Sequence, residues 1–303
     1  MSIIEKAAEK LKTLQSEDPS APEAVSASDQ TVPHVAVTPN VKRLQDWARA
    51  PQAPAEETPL WHVDLMALKR VGVMPGGDAA ARLADELRRI KRPLLATAAG
   101  KGTRPVENGH RIMIASAVPG EGKTFTALNL ALSLAKEKDF EVLLVDGDIP
   151  KCDLTRLFKL ERHAGLMDVL TDEQRRPEDV IVHTDLPGLM LVPVGQRNPL
   201  AAELFGSQRM ERVLQDFSGR NQRRLLLFDS PPLLATSEAQ ALGTHMGQII
   251  LVVAASSTPQ QTVKAAIQTL DKAKGISLIL NRAQLLAGED YYGSYYSRYY
   301  KDR

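Results

Sequence analysis

The segment Ala117–Thr124, AVPGEGKT, constrains the fold more than any other part of the sequence. Apolar residues 112–115 precede it and predict a strand, and residues 124–135 follow with the periodicity of a helix. In that context two glycines let backbone N–H groups turn toward an anion at the helix N-terminus. We expect Lys123 to contact the outer phosphates of a nucleotide and the Thr124 hydroxyl to bind magnesium. The residues expected to contact the nucleotide are Ala117, Val118, Pro119, Gly120, Glu121, Gly122, Lys123, Thr124 and Phe125.

Residues 100–103, Gly-Lys-Gly-Thr, have a similar composition. No predicted strand precedes them, and they lack the small residue that opens a phosphate loop. Residue types alone therefore do not define the site, and only the segment at 117–124 has the required context.

Apolar runs alternate with helical stretches from Arg111 onward, which is typical of parallel βαβ units. The sequence therefore predicts an α/β fold with a doubly wound, mostly parallel sheet of the P-loop NTPase type. Predicted strands are Arg111–Ser116, Glu141–Asp146, Met190–Val194, Arg224–Asp229, Gln248–Ala254 and Ile276–Leu280. Predicted helices between them are Lys123–Lys136, Ala201–Phe217 and Pro259–Lys274.

Three aspartates follow predicted strands: Asp146 and Asp148 after one, Asp229 after another. Ligands of open parallel sheets bind at the carboxyl ends of the strands, so we expect these carboxylates beside the phosphate loop. Asp229 suits magnesium held through water, and Asp146 suits the orientation or deprotonation of an incoming hydroxyl. The plainer alternative is that the aspartates only cap strand ends. We predict catalytic roles for Lys123, Asp146 and Asp148, and magnesium contacts for Thr124, Asp146 and Asp229.

Asn281 follows the last predicted strand, on the same edge of the sheet. Its amide would suit a hydrogen bond to adenine. Asparagine is also a common turn former, so both interpretations stay open at this point.

The chain beyond the sheet divides by composition. Residues 1–15 predict an amphipathic helix with a capping box at Ser2 and Glu5, serving as a docking helix or as a membrane-surface or partner-binding element. Residues 16–60 are rich in proline and alanine and predict a disordered linker. We assign residues 61–286 to the nucleotide-binding domain and residues 287–303 to a flexible tail.

Charge, cysteine content and hydropathy exclude several classes of protein. The formal charge is +1, which gives no electrostatic case for nucleic acid. A single cysteine excludes an internal disulfide and fits a reducing compartment. No apolar run is long enough to cross a bilayer and the N-terminus has no signal-peptide core, so we expect a soluble, cytoplasmic protein.

All six tyrosines of the 303-residue chain fall within its last thirteen residues. The segment contains no aliphatic residue between its first and last tyrosine, which makes it a poor core strand. Phenols beside a nucleotide site suggest a phosphoryl donor and its acceptors on one chain. The predicted acceptors are Tyr291, Tyr292, Tyr295, Tyr296, Tyr299 and Tyr300.

A helix is predicted over residues 78–92 and is expected to end at Pro93. Its Glu86, Arg89 and Arg92 share one face because of their spacing of three. Taken alone, this pattern is typical of an ordinary solvated charge face.

With these motifs in place, the chain resembles the bacterial tyrosine kinases from about Asp78 to Arg303. The opening residues 2–7 and residues 86–95 further resemble the autokinase branch linked to exosortase-type exopolysaccharide loci. The resemblance implies Mg-ATP as cofactor and autophosphorylation of the tyrosine cluster of a neighbouring subunit. It also implies a ring of subunits with Glu86, Arg89 and Arg92 at the interface. A membrane-bound polysaccharide co-polymerase as activator, a tyrosine phosphatase, and a cytoplasmic location peripheral to the inner membrane are implied as well.

One departure from the family concerns the residues after Asp148. The family usually has an arginine two residues further on, where this chain has Pro150 followed by Lys151. Lysine supplies charge without the planar fork of a guanidinium.

Two other functions fit the same fold. A partitioning or cell-division ATPase of the MinD or ParA kind usually carries an early lysine in the loop, where this chain has Val118. A non-catalytic interaction protein would use the tyrosines as an aromatic platform. The sequence favours the kinase because of its tail.

Overall fold

The computed structural model describes residues 59–73, 75–219, 224–271 and 274–283. The predicted helix at 1–15, nearly all of the predicted linker and the whole of the predicted tail lie outside the described residues. Within the described part of the chain, no helix has the length and hydropathy needed to cross a membrane.

A seven-stranded sheet organises the domain, in the order β3-β4-β2-β5-β1-β6-β7. All neighbouring strands are parallel except β3, which pairs antiparallel with β4. The loop-bearing strand β1 lies between β5 and β6, so the expected doubly wound, mostly parallel sheet is confirmed. The strands are β1 Arg111–Ser116, β2 Glu141–Asp146, β3 Val182–His183, β4 Leu189–Val192, β5 Arg224–Asp229, β6 Gln248–Ala254 and β7 Gly275–Asn281.

Helices cover both faces of the sheet. One face packs against α1 to α4 and the other against α5 to α9. The central strands are buried on both faces, which explains their continuous apolar sequences. The helices are α1 Leu65–Arg70, α2 Gly77–Ala98, α3 Lys123–Leu134, α4 Asp153–Leu157, α5 Leu166–Thr171, α6 Ala201–Phe205, α7 Gln208–Phe217, α8 Ser237–Thr244 and α9 Gln260–Gln268, with a 3-10 turn at Pro177–Val180.

The prediction that the helix over residues 78–92 ends at Pro93 was wrong, because α2 continues to Ala98. Proline removes one backbone donor but does not forbid a helix when packing holds the next turn. Leu94, one residue later, is buried in the core. Its carbonyl also accepts a hydrogen bond of 3.1 Å from Gln248 Nε2. These contacts keep the last turn helical.

Other predicted elements differ in extent. The predicted helix Ala201–Phe217 is two helices, because α6 ends at Phe205 and the Ser207 hydroxyl caps the new helix α7 by accepting from Met210 N. Helix α9 ends at Gln268, earlier than the predicted Lys274. Strand β4 begins and ends slightly earlier than predicted, and β7 is one residue longer at each end.

Candidate nucleotide site

The phosphate loop connects β1 to α3 at the carboxyl edge of the sheet. Gly122, with a φ of 95°, is the residue before the helix, and Lys123 is the first residue within it. The Ser116 hydroxyl, at the end of β1, donates to the Val118 carbonyl over 2.8 Å. The loop thus has the strand–loop–helix setting that a phosphate site requires.

Glu121 holds the loop in place from within. Its side chain is only 2% exposed. Oε2 accepts from Val118 N at 2.8 Å, and Oε1 accepts from Thr258 Oγ1 at 2.6 Å and from Ala254 N at 3.2 Å. Ala254 is the last residue of β6. One carboxylate therefore braces the loop against the end of the neighbouring strand.

Asn281 supports the same loop from the edge strand β7. Its Nδ2 donates to the Glu121 carbonyl over 2.8 Å. A Cβ at position 122 would lie 2.1 Å from that nitrogen, so this close approach requires glycine. The amide is thus committed to the loop in this structure, and the adenine contact stays a prediction.

Lys123 and Asp148 form a buried ion pair at the site. Nζ and Oδ2 are 2.8 Å apart, and the two side chains are 4% and 2% exposed. Asp148 follows Gly147, whose N–H donates to the Asp229 carbonyl over 2.8 Å. A Cβ at Gly147 would lie 2.9 Å from that oxygen. Glycine therefore lets the chain after β2 pass close enough to β5 to bring Asp148 to the lysine.

One carboxylate oxygen of Asp146 accepts hydrogen bonds and the other accepts none from the described residues. Thr155, in α4, donates to Oδ2 from its hydroxyl at 2.7 Å and from its N–H at 2.8 Å. Oδ1 is buried and has no hydrogen-bond partner among the described residues. Burial raises the pKa of Asp146 to about 6, although the Thr155 hydrogen bonds oppose this.

Asp229 combines complete burial with a lack of hydrogen-bond partners. It is fully buried, and neither carboxylate oxygen has a hydrogen-bond partner in the part of the chain that the structure describes. Burial raises the pKa of Asp229 well above its usual value, opposed first by the Lys123 ammonium and also by the Thr124 hydroxyl nearby. Asp146 and Asp229 are register partners on β2 and β5. An unpartnered buried carboxylate is costly, so its retention points to a ligand.

The donor set fits a cation held mainly by phosphate and water. No three His, Cys, Asp or Glu side chains of the described chain form a ready metal cage. Magnesium is typically held by one or two protein oxygens, with water and phosphate completing the octahedron. The free oxygens of Asp146 and Asp229, beside the Thr124 hydroxyl, satisfy that requirement.

The remaining predicted site residues lie elsewhere. Glu86, Arg89 and Arg92 have exposed side chains on α2, whose buried Leu87 and Leu94 face the core. The predicted acceptor tyrosines fall outside the described residues.

Two supporting groups escaped the sequence analysis. Thr155 orients Asp146 and also accepts from Val194 N at 3.0 Å, joining β2, α4 and the segment that follows β4. Thr258 fixes Glu121 from a loop that is far away in sequence. Nothing local marks either threonine, because each acts on a partner brought near only by the folded sheet.

The fold and site define a P-loop nucleotide-binding protein. The AAA domain family matches residues 109–281, and the chain belongs to it. Tyrosine-protein kinase YwqD of Bacillus subtilis (strain 168) is 32% identical over 182 residues, which is 59% of this chain and 75% of that protein. The chain is therefore a member of the bacterial tyrosine kinase family.

A solved structure and a second relative are also bacterial tyrosine kinases. The kinase domain of Escherichia coli tyrosine kinase ETK superposes with a TM-score of 0.58 and 25% identity, covering 78% of this chain and 88% of that domain. Tyrosine-protein kinase ptk of Acinetobacter johnsonii is 29% identical over 175 residues, covering 57% of this chain but only 23% of its own length. The chain thus spans about a quarter of that longer relative.

Proposed function

We propose that this protein transfers the γ-phosphate of Mg-ATP to tyrosines of its own C-terminal segment, residues 291–300, in a neighbouring copy. The observation that supports this most strongly is the fully buried, unpartnered carboxylate of Asp229 beside the phosphate loop. A site that keeps such a group without a ligand sacrifices stability for chemistry. Family membership then favours tyrosine over water as the acceptor.

Each site residue has a role in this proposal. Lys123 binds the phosphates, while Asp148 holds its ammonium in place. Thr124, Asp229 and Asp146 would hold magnesium, which supplies neutralisation of the phosphate charge. Thr155 occupies Oδ2 of Asp146, so its free Oδ1 would reach both the magnesium and the phenol proton through bound water rather than directly. A phenol with an ordinary pKa of about 10 needs such a base close by.

The wider setting is proposed on family resemblance. Exposed Glu86, Arg89 and Arg92 would form the interface of a subunit ring, and Lys151 would supply the charge that the family usually draws from arginine. The activity would regulate exopolysaccharide synthesis or export from the cytoplasmic side of the inner membrane. It would be switched on by a membrane-bound co-polymerase and reversed by a tyrosine phosphatase.

Incubation with ATP labelled at the γ-phosphate tests the proposal. We expect label on tyrosine in the wild type and its loss in Lys123→Met and in a chain with all six tyrosines changed to phenylalanine. Lys101→Met is the matched control, because Lys101 occupies the similar Gly-Lys-Gly-Thr segment and is exposed away from the site. That variant should label normally.

Other outcomes would contradict the kinase assignment. Release of free phosphate without protein label would favour the ATPase, and nucleotide binding without turnover would favour a non-catalytic interaction protein.

A further inference from the structure

Strand β7 forms one edge of the sheet, and no strand of the described chain pairs with its outer side. Gly275 N donates to the Gly247 carbonyl over 3.0 Å, and the Asn281 carbonyl accepts from Ala255 N at 2.7 Å. These two residues therefore turn their backbone groups toward β6. Backbone groups of successive residues in a strand point to opposite sides, so the even-numbered residues turn theirs outward. They are Ile276, Leu278 and Leu280.

The same three residues form an apolar stripe along the edge. Successive side chains of a strand face opposite sides of a sheet, so these three share the face that α5 to α9 cover elsewhere. Ile276 packs against that core, but Leu278 and Leu280 are 56% and 64% exposed. Exposed apolar side chains beside open backbone groups make an edge competent to pair with another strand.

Strand β7 lacks the features with which proteins usually protect an open edge. Its sequence, GISLILN, contains no charged residue and no proline. Its residues pair one to one with β6 from Gly275 through Asn281, so no bulge bends the strand away. Charged side chains, proline and bulges are the common means of preventing edge-to-edge contact. Their absence from β7 indicates an edge that accepts a partner strand.

The opposite edge of the sheet is protected. Strand β3 has only two residues and pairs antiparallel with β4. Trp61 covers its outer side, because the Trp61 N–H donates to the His183 carbonyl over 2.7 Å and the Trp61 carbonyl accepts from Asp185 N at 3.0 Å. The chain thus covers its short edge with its own segment. It leaves the longer, apolar edge uncovered in the part that the structure describes.

We propose that β7 pairs antiparallel with β7 of a second copy of this chain, which joins two sheets into one. A twofold axis at Leu278 places Leu278 opposite its counterpart, and Ile276 opposite Leu280 of the partner subunit. Each of these three facing pairs can exchange two backbone hydrogen bonds, because the outward residues of both strands meet. A shift of one residue would bring outward groups opposite inward ones. The pattern of β7 therefore fixes the register.

The composition of the strand favours a second copy as the occupant. Every outward position is apolar, so each side chain gains most from an apolar neighbour across the pair. Pairing of β7 with itself meets this condition at all three positions. A twofold contact that uses one surface twice is also the commonest arrangement in dimers.

The expected contact is weak and is separate from the chemistry. One strand pair is smaller than the about 1,200–2,000 Å² that stable complexes bury, so we expect reversible pairing. Antiparallel strands run in opposite directions, so the nucleotide sites of the two copies would face opposite ways. The contact thus assembles copies without requiring phosphoryl transfer, and it does not use the charged face of α2.

Disulfide trapping of the full chain tests the pairing directly. Facing residues of a hydrogen-bonded antiparallel pair have Cα atoms about 5.5 Å apart, which a disulfide can span. Leu278→Cys should form a covalent dimer under mild oxidation about tenfold faster than Leu200→Cys, because pairing raises the local thiol concentration. Leu200 is the matched control, since it is 57% exposed but lies beside α6. The native Cys152 is buried. Equal rates in the two variants would overturn the proposal.

Like charges across the twofold axis provide a second test. The parent for this test has Glu86, Arg89 and Arg92 changed to alanine, so that the interface proposed for the ring does not contribute. In this parent, Leu278→Lys should weaken self-association about tenfold in sedimentation equilibrium, because it opposes two ammonium groups and removes an apolar contact. Leu200→Lys should associate like the parent. Equal association of the two lysine variants, or a parent that stays monomeric at about 1 mM, would contradict the pairing.

Discussion

The domain contains two polar clusters at opposite ends of its parallel strands. They differ in how many of their polar atoms have hydrogen-bond partners. At the carboxyl ends, Asp146 Oδ1 and both oxygens of Asp229 lack partners within the described chain. At the amino end of β1, Arg111 Nη1 donates to both oxygens of Glu211, at 2.9 Å each. His245 joins Glu211 through Nδ1 at 3.1 Å, and its Nε2 bonds the Phe205 carbonyl at 2.7 Å. Only Arg111 Nε is left unpartnered there, among the residues described.

This difference separates a structural cluster from a ligand site. Both clusters bury charge, but in the Arg111 cluster the opposite charges pair with one another. In the loop cluster three carboxylates share one ammonium, so negative charge is in excess. A phosphate alone would worsen that excess, whereas a magnesium–phosphate complex would relieve it. The electrostatics therefore favour nucleotide bound together with a divalent cation.

The largest effect is expected for Asp229→Asn. Loss of a carboxylate at the magnesium position should lower tyrosine labelling by about two to three orders of magnitude. The same change should raise the melting temperature of the nucleotide-free protein by about 2–4 °C, because it removes buried charge repulsion. Labelling assays and calorimetry measure the two effects.

Asp216→Asn is the control for this change. Asp216 is an exposed carboxylate on α7, and its substitution should alter neither quantity. A lower melting temperature in Asp229→Asn would show that the carboxylate is a stabilising group, and the contrast between the clusters would fail.

Arg111→Met should lower stability without affecting the nucleotide site, which is the opposite of the result expected for Asp229→Asn. Arg111 is buried, but the Glu211 side chain left behind is 36% exposed and solvent screens its charge, so we expect the free energy of unfolding to fall by about 1–2 kcal/mol. Nucleotide affinity of the folded protein should not change. Arg88→Met, which breaks the exposed pair with Asp85 and an exposed hydrogen bond to the Ala84 carbonyl, should cost less than about 1 kcal/mol. Weaker nucleotide binding by folded Arg111→Met would mean that the two clusters are coupled.

His110 gives the amino-end cluster a pH dependence. It is buried and its Nε2 contacts Ser218 Oγ at 2.8 Å. Burial, with Arg111 nearby, lowers the pKa of His110 to about 4 from 6.5. The unfolded chain binds the extra proton first, so stability present above pH 6.5 is lost as the pH falls toward 4. Between pH 6.5 and pH 4, the free energy of unfolding of His110→Gln should fall by about 2–3 kcal/mol less than that of the wild type. Urea unfolding at several pH values in this window measures the difference. An unchanged pH profile in the variant would contradict the assignment.

The sequence predicted the parts of the molecule that depend on local pattern. The phosphate loop, the sheet class and the aspartates at the ends of β2 and β5 all follow from residue types next to apolar runs. The continuation of α2 through Pro93 was not predictable, because distant Gln248 and core packing at Leu94 sustain it. Local propensity is outweighed there by tertiary contacts.

The same distinction applies within the site. Lys123 could be assigned from its motif, but its ion pair with Asp148 depends on the close passage of Gly147 against β5. Short elements such as α4 have too few residues for a periodic signal, yet α4 supplies Thr155, which orients Asp146. Residues that act through another residue are visible only once the strands are assembled.

The smallest and sharpest prediction concerns Glu121→Gln. Both oxygens of Glu121 accept from backbone N–H groups, Val118 N on one side and Ala254 N on the other. An amide must present its NH₂ to one of them, whichever way it is turned. One donor is then left facing another donor, which costs about 1–2 kcal/mol.

Part of this cost distorts the loop, so nucleotide affinity should fall about tenfold, which corresponds to about 1.4 kcal/mol. The cost also destabilises the nucleotide-free protein, whose melting temperature should fall by about 2–4 °C. Thr258→Val removes only one of the contacts to Oε1 and should have a smaller effect in the same direction. If both variants bind nucleotide like the wild type, the loop keeps its shape without the brace. The contrast between the two ends of the sheet would then rest on the unpartnered carboxylates and not on the shape of the loop.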